Sequence, residues 1–573
     1  MTTPVSDAPV ETSPATSSAF ALLETLIAHG LEWVVVCPGA RSQALALAAA
    51  HLEREGAVRV VVRIDERAAA FTALGIGSET GRPAAVITTS GSAVANLHPA
   101  VLEAHHAGIP LILLTADRPE ELHGIGSNQT TVQAGIFGGS VRLLRDIPAP
   151  VDIQHDIETA QTTATEAWAA SLGHAPADPG RPGPVHLNLA YREPLSSAQR
   201  PQPRPGSVTP LAPRDHTALV LPRGPRTLII AGASAGPEAE QIAHEGGWPL
   251  IAEVSSGARF GRNLVAHYRA ALDTAELTDA VERIVVCGHP TLGRQIPALI
   301  AGRPDIETIV VRSGGEDLNP GHAVSAVVDS VSVAPGETDA QWLGAWLRVG
   351  SEALAEYEQR QADSAPAARA PDIAASRATD AASKREYAQA ELAAVRTPLT
   401  RELLVDAVWR ATWPHDRLVF GASRIIRVAD RVVPGKKIPV FANRGLAGID
   451  GTVSTAGGIA LASGALTRVV LGDLTLLHDA GGLWAEPGQP RPRLQIVVAN
   501  DGGGTIFDSL EVAATADRPD FDRVMLTPQD VNLRALAEAY GFDYLSASTV
   551  GQLDQALTQP GPRPLLIEVP LPR

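Results

Sequence analysis

Only two cysteines occur in the 573 residues, Cys37 and Cys287, each inside an apolar, strand-like run. That number excludes a disulfide framework and a cysteine-based zinc site, and it fits a reducing cytoplasm. Long hydrophobic runs are also missing: no stretch of 18 apolar residues occurs, and the first 19 residues, MTTPVSDAPVETSPATSSA, carry neither a basic n-region nor an apolar h-region. The expectation is a soluble, unexported, cytoplasmic protein with no membrane insertion. Positive charge is scarce as well, with 47 Lys and Arg against 63 Asp and Glu, a net charge of -16 and no basic run. Nucleic acid and anionic membrane surfaces are thereby excluded as partners. GxGxxG is absent even from the IIAGASAG segment after Leu228, so that segment gives no reason to place a dinucleotide there. His105 and His106 are adjacent, and neighbouring helical residues point about 100° apart, which argues against joint chelation of one ion.

What is present reads as α/β. The composition is 45% apolar and 19% charged, enough for sizeable cores, and the length suggests about three or four domains. Short, nearly continuous apolar runs alternate with helical patterns, as buried parallel strands do. EWVVVCPG, VRVVVRID, AAVITTSG, PLILLTAD and PVHLNLA mark an N-terminal domain over residues 1–195. A Pro-rich connection covers 196–226. TLIIAGASAG, PLIAEVSSG, RIVVCGHP and TIVVRSGG mark a central domain over 227–362, and an Ala-rich, charged helix or connector covers 363–396. RLVFGAS, PVFANRG, TRVVLGD, LQIVVAND and PLLIEVP then mark a C-terminal domain over 397–573. The outer domains look like variants of one architecture, without a residue-level repeat.

Two segments carry chemistry. Gly472-Asp473-Leu474 ends one predicted strand and Asn500-Asp501-Gly502 ends the next. In an open parallel sheet, carboxyl ends of neighbouring strands line one crevice, so a carboxylate, an amide oxygen and a glycine carbonyl can converge. Such hard oxygen donors suit Mg²⁺, and the glycines let a diphosphate approach the backbone. The competing reading is that both segments are ordinary strand-end turns, which Gly, Asp and Asn favour. Far away in sequence, VVVRIDERAAAF places Glu66 between a strand and a helix, where an acid can also serve simply as a helix-start residue.

In order along the chain, CPGARS, RIDER, TTSGSAVANLHPA, LLTADRPEEL, SNQT, FANRGLAGIDGTVSTAGG and GDLTLLHD resemble the 2-succinyl-5-enolpyruvyl-6-hydroxy-3-cyclohexene-1-carboxylate synthase family of thiamine diphosphate enzymes. The likeness spans essentially the whole chain and is weakest in its middle. It implies three doubly wound parallel-sheet domains of the thiamine diphosphate-dependent decarboxylase type, in a homodimer or dimer of dimers with active sites at the subunit interface. It implies decarboxylation of 2-oxoglutarate and 1,4-addition of the resulting carbanion to isochorismate, in menaquinone biosynthesis.

Carried over residue by residue, the resemblance makes Glu66 the activator of the cofactor. Asp473, Asn500 and the Gly502 carbonyl hold Mg²⁺, with Mn²⁺ the alternative ion, and Asp501 stands beside Asn500 as the other ligand choice. Gly472 completes the diphosphate motif, and Ile449 supports the bent cofactor. Arg41, Arg118, Arg427 and Arg444 resemble substrate-carboxylate ligands, since a planar guanidinium binds carboxylate bidentately. Asn128, Gln129 and Ser423 resemble polar substrate contacts. Departures from the family pattern are Leu474 for a glycine, Ala499 for an asparagine, Ala40 for a serine, and an extra residue, Thr505, which shifts the register of Ile506 and Phe507. The alternatives are another thiamine diphosphate decarboxylase, an acetolactate-type synthase, or a silent paralogue with the same fold.

Overall fold

The computed structural model describes residues 12–174, 180–197, 218–364, 376–377, 379–489, 491–559 and 561–573. Most of the Pro-rich connection and part of the Ala-rich one lie outside the described residues. The chain divides into two compact units, Met1–Asp215 with Val453–Ser463 and Gly481–Pro490, and His216–Thr452 with Gly464–Ala480 and Arg491–Arg573.

The first unit holds β1 (Trp33–Val36), β2 (Arg59–Val62), β3 (Ala84–Thr88), β4 (Leu111–Asp117), β5 (Leu143–Ile147) and β6 (Pro184–Ala190). They form one sheet in the order β2-β1-β3-β4-β6-β5, parallel throughout. Every residue of β3 and β4 is buried, which is why AAVIT and LILLTAD read as continuous apolar runs rather than alternating ones. Each fully buried Val, Leu or Ile there contributes roughly 1.5–3 kcal/mol over an exposed one.

The second unit holds two larger sheets. One contains β8 (Thr227–Ala231), β9 (Leu250–Ala252), β10 (Arg283–Cys287), β11 (Glu307–Val311) and β12 (Ala326–Val328), while β7 (Leu219–Leu221) pairs with β13 (Val331–Val333) alongside. The other contains β14 (Arg417–Phe420), β15 (Val440–Phe441), β16 (Thr467–Gly472), β17 (Leu494–Asn500), β18 (Asp543–Ser546) and β19 (Leu565–Pro570), in the order β15-β14-β16-β17-β19-β18. Counted from its own first strand, this order repeats that of the first unit's sheet, so the expected likeness of the outer sheets is real in topology. The α/β, parallel-sheet class is the one expected.

Each outer sheet also contains one strand that the apolar pattern did not reveal, and it is the fifth in both. β5 (LLRDI) and β18 (DYLS) are edge strands, partly exposed and carrying charge, so neither makes an apolar run. The Ala-rich stretch ends in a helix, Ala381–Arg396, with no buried residue, as a solvated helix should have. Among the described residues, no helix is long and apolar enough to cross a membrane. Both cysteines are buried. Burial raises the Cys37 thiol far above its usual range, helped by the Glu66 and Asp65 charges, and pushes Cys287 up to about 12.

Helix Glu66–Thr80 packs on the segment Val453–Ser463 within the first unit at backbone-contact distance. A methyl group at Gly75 would strike the Thr455 carbonyl, and one at Gly458 would strike the Thr72 carbonyl. Gly458→Ala is therefore expected to cost about 1–3 kcal/mol, read as a lowered thermal midpoint. Gly457→Ala, whose methyl meets nothing within 4 Å, should be neutral or stabilising by less than about 1 kcal/mol.

Candidate active site

In both outer sheets strand order reverses beside the first strand, between β1 and β3 and between β14 and β16. That reversal opens a crevice at the carboxyl ends, where ligands bind in sheets of this kind. Most residues singled out from the sequence lie at these strand ends or in the loops and first helical turns that leave them.

In the first unit, Arg41 follows β1, Arg118 follows β4, and Asn128 and Gln129 lie in the loop beyond. Arg41 is buried, and its Nη1 donates to the Tyr191 carbonyl at 2.9 Å, while its Nε has no hydrogen-bond partner among the described residues. Burial and the nearby Arg118 charge lower its proton affinity. Arg118 donates through Nη1 to Ser90 Oγ (2.7 Å) and through Nη2 to the Asn128 carbonyl (3.0 Å). The Gln129 amide donates to the Ser90 carbonyl at 3.0 Å, and Ser90 Oγ returns a bond to the Gln129 carbonyl at 2.9 Å. Gln129 sits at φ 55°, a left-handed conformation that costs a non-glycine residue free energy and that these bonds maintain. Ser90, Arg118, Asn128 and Gln129 thus form one hydrogen-bonded cluster, with the charge of Arg41 acting beside it.

Glu66 is the first residue of helix Glu66–Thr80, beyond β2. The capping role is taken by its neighbour: the Asp65 carboxylate accepts from the N–H groups of Arg67 and Ala68 at 2.9 and 3.3 Å. Glu66 is half-buried, and its carboxylate accepts from Asn96 Nδ2 at 3.4 Å. Its side chain is therefore not consumed by the helix start.

In the second unit, Asp473 opens helix Asp473–His478 directly after β16, and Asn500 ends β17. Asp473 is almost fully buried, and burial raises its carboxyl above the usual range, opposed by the Gln529 hydrogen bond. Gln529 Nε2 donates both to Asp473 Oδ2 at 2.8 Å and to Asn500 Oδ1 at 3.2 Å. Two oxygens from neighbouring strand ends therefore converge on one electropositive group, as they would on a cation. The Asn500 amide is turned to do this: its Nδ2 donates to Glu568 Oε1 at 2.7 Å, leaving Oδ1 to face Asp473. Asp501 is committed elsewhere, in a largely buried ion pair with Arg401 at 2.7 Å and accepting from Thr505 Oγ1 at 2.6 Å. The extra Thr505 thus has a structural use, holding Asp501 away from the oxygens of Asp473 and Asn500.

A cleft of about 130 Å³ lies beside these groups, lined by Ser423, Ile449, Gly472, Asp473, Ile506 and Phe507 among others. A side chain at Gly472 or Gly502 would enter open space, so both leave room for a ligand, and Gly502 at φ 78° has a conformation glycine adopts freely. These features fit a metal-bridged diphosphate. Ile506 and Phe507, whose register was open in the sequence, both face the cleft. Arg427 lies one helical turn beyond Ser423 and donates to its carbonyl at 2.9 Å. Arg444 does not line the cleft; it is buried against Thr291. Gln529, Glu568 and Arg401 were not singled out from the sequence, because no motif adjoins them and only folding brings them to these strand ends; Asn96 lies inside the TTSGSAVANLHPA segment, where its nearness to Glu66 had no signal of its own.

Residues 17–136 match the family model described as thiamine pyrophosphate enzyme, N-terminal TPP binding domain. Together with the parallel sheets and the convergent oxygens, this defines a thiamine diphosphate-dependent enzyme. The chain is 54% identical to the 2-succinyl-5-enolpyruvyl-6-hydroxy-3-cyclohexene-1-carboxylate synthase of Leifsonia xyli subsp. xyli, over 98% of this chain and 97% of that protein. It is 51% identical to that of Clavibacter michiganensis subsp. michiganensis, over 100% and 98%, and 38% identical to that of Thermobifida fusca, over 97% and 96%. The chain belongs to the 2-succinyl-5-enolpyruvyl-6-hydroxy-3-cyclohexene-1-carboxylate synthase family.

The orientation of Asn500 by Glu568 has a measurable consequence. Glu568→Gln, which lets the Asn500 amide turn, is expected to weaken binding of thiamine diphosphate, measured by calorimetry with Mg²⁺ in the buffer, on the order of tenfold.

Proposed function

We propose that the protein decarboxylates 2-oxoglutarate and adds the resulting four-carbon unit to isochorismate in menaquinone biosynthesis, using thiamine diphosphate held through Mg²⁺ or Mn²⁺. The observation that carries the site assignment is the convergence of Asp473 Oδ2 and Asn500 Oδ1 on a single point. In this reading Asp473, Asn500 and the Gly502 carbonyl hold the metal, with Asn500 preferred because Asp501 is spent on Arg401. Gly472 and Ile449 line the cleft, where Gly472 would border the diphosphate and Ile449 would support the cofactor. Bound thiamine diphosphate supplies the carbon nucleophile and the electron sink that decarboxylation needs.

The chain's residues do the rest. Glu66, free of the capping duty, holds a proton at the aminopyrimidine and so sets its tautomer. Both substrates are dicarboxylates, and Arg41, Arg118, Arg427 and Arg444 neutralise and orient their carboxylates, with the Nε of Arg41 left without a partner among the described residues. Asn128, Gln129 and Ser423 provide the neutral hydrogen bonds that fix register. The division into N-terminal, central and C-terminal domains at 1–195, 227–362 and 397–573, and a cytoplasmic location, belong to the same reading.

Glu66 and Asp473 belong to different compact units. The proposed assembly is a homodimer or dimer of dimers in which one subunit's Glu66 serves the other's metal site.

Three measurements test this. Purified protein with Mg²⁺, thiamine diphosphate and 2-oxoglutarate should form the adduct only when isochorismate is added; free succinic semialdehyde without adduct would mark a simple decarboxylase instead. Glu66→Gln should retain cofactor binding and lose turnover by roughly 10²-fold or more, whereas near-normal turnover removes its role. Mixing and reassembling inactive Glu66→Gln and Asp473→Ala subunits should restore about a quarter of the activity, one intact site in each mixed dimer; no recovery in demonstrably mixed dimers would place both residues of a site in one chain.

A further inference from the structure

A fully buried carboxylate in the second unit has no part in the reading above. Glu253 follows β9 at its carboxyl end and is 0% exposed. Its oxygens accept from the backbone N–H of Thr291 at 3.0 Å each, and Oε1 also accepts from that of Leu292 at 2.7 Å. Both donors lie in the loop between β10 and helix Gln295–Gly302. Thr291 in turn receives Arg444, whose Nε donates to its Oγ1 at 2.8 Å and whose Nη2 donates to its carbonyl at 3.2 Å. A continuous chain of hydrogen bonds therefore runs from the sheet of β8 to β12 to an arginine beyond β15.

The charges around this chain are arranged to leave Glu253 facing arginines. Asp430, whose charge acts on Glu253, is paired with Arg269 at 2.8 Å and Arg259 at 3.6 Å, and it accepts from the Tyr268 hydroxyl at 2.6 Å and the Val254 N–H at 3.0 Å. Glu253 makes no ion pair within 4 Å among the described residues. Its charge nonetheless acts on Arg427, where it opposes the effects of burial and of Arg269, and it is itself favoured by Arg444. Burial and Asp430 push the Glu253 carboxyl up from its usual range. A neutral acceptor could hold the loop at less desolvation cost. A carboxylate adds something a neutral group does not: in its ionised form, a negative charge that acts on the guanidinium groups of Arg427 and Arg444.

We propose that Glu253 is a positioning residue for the dicarboxylate substrates, fixing Thr291 and through it the guanidinium of Arg444, so that the sheet of β8 to β12 sets the geometry of substrate-carboxylate binding. The proposal rests on the reading that Arg444 takes a substrate carboxylate. Glu253 itself touches neither substrate nor cofactor.

The test is steady-state kinetics on the holoenzyme, varying each substrate at saturating concentration of the other, with thermal midpoints and cofactor affinity measured alongside. Glu253→Gln keeps the shape and removes the charge; it should raise KM for one of the dicarboxylates by about tenfold and change kcat by less than about twofold. Thr291→Val removes the Oγ1 acceptor for Arg444, leaves the Glu253 contacts in place, and should shift the same KM in the same direction; it carries the test should Glu253→Gln fail to fold. Combined with Arg444→Lys, either change should add less than about twofold, because the positioned group is already gone. The proposal is overturned if Arg444→Lys raises KM while Glu253→Gln and Thr291→Val do not, or if their effects multiply fully with that of Arg444→Lys. Should Arg444→Lys leave both KM values unchanged, the substrate reading of Arg444 fails, and the positioning role falls with it.

Discussion

Parallel pairing constrains everything else in this protein. When every strand of a sheet runs the same way, all carboxyl ends emerge on one edge, and the loops that leave them must share that edge. Residues separated by long stretches of sequence are then neighbours by construction: Arg41 with Arg118, Asp473 with Asn500, Glu253 with Thr291. The same pairing requires helical crossovers, which cover both faces and leave the strands buried. Candidate chemistry therefore gathers at the strand ends, because the strand interiors are mostly Val, Ile, Leu and Ala.

Placing polar groups at a buried edge creates a second requirement, that each be held by a partner. Around the metal-fitting oxygens this is met by groups from other strands and loops. Glu568 on β19 turns the Asn500 amide, Arg401 takes up Asp501, and Gln529 joins the two remaining oxygens. On the helix Arg424–Val432 that follows β14, Asp430 collects a tyrosine, two arginines and a backbone N–H. Such networks orient functional side chains before a ligand arrives, which reduces the ordering that binding must impose.

Much of the fold was legible because buried parallel strands write themselves as apolar runs. AAVIT, LILLTAD, TRVVLG and LQIVVAN all appear where expected. β5 and β18 were not legible, since an edge strand with one exposed face and charged residues carries no such run. Within the candidate site, motif residues could be named from sequence spacing, yet spacing could not separate Asn500 from Asp501. That distinction depends on Arg401 and Thr505, which draw Asp501 aside. Gln529 and Glu568 have no sequence signal at all, because their proximity is a product of chain closure rather than of local pattern. Nor could sequence show that Arg444 reaches Thr291, far away along the chain and in a different sheet's loops.

The burial of both thiols has a practical consequence. With proton affinities raised so far above those of exposed cysteines, Cys37 and Cys287 present almost no thiolate near neutral pH. The native chain therefore behaves toward maleimides and iodoacetamides almost as a cysteine-free protein. A single cysteine introduced on an exposed surface would be the one reactive handle, so that spin labels or fluorophores could report distances in the unmutated core background.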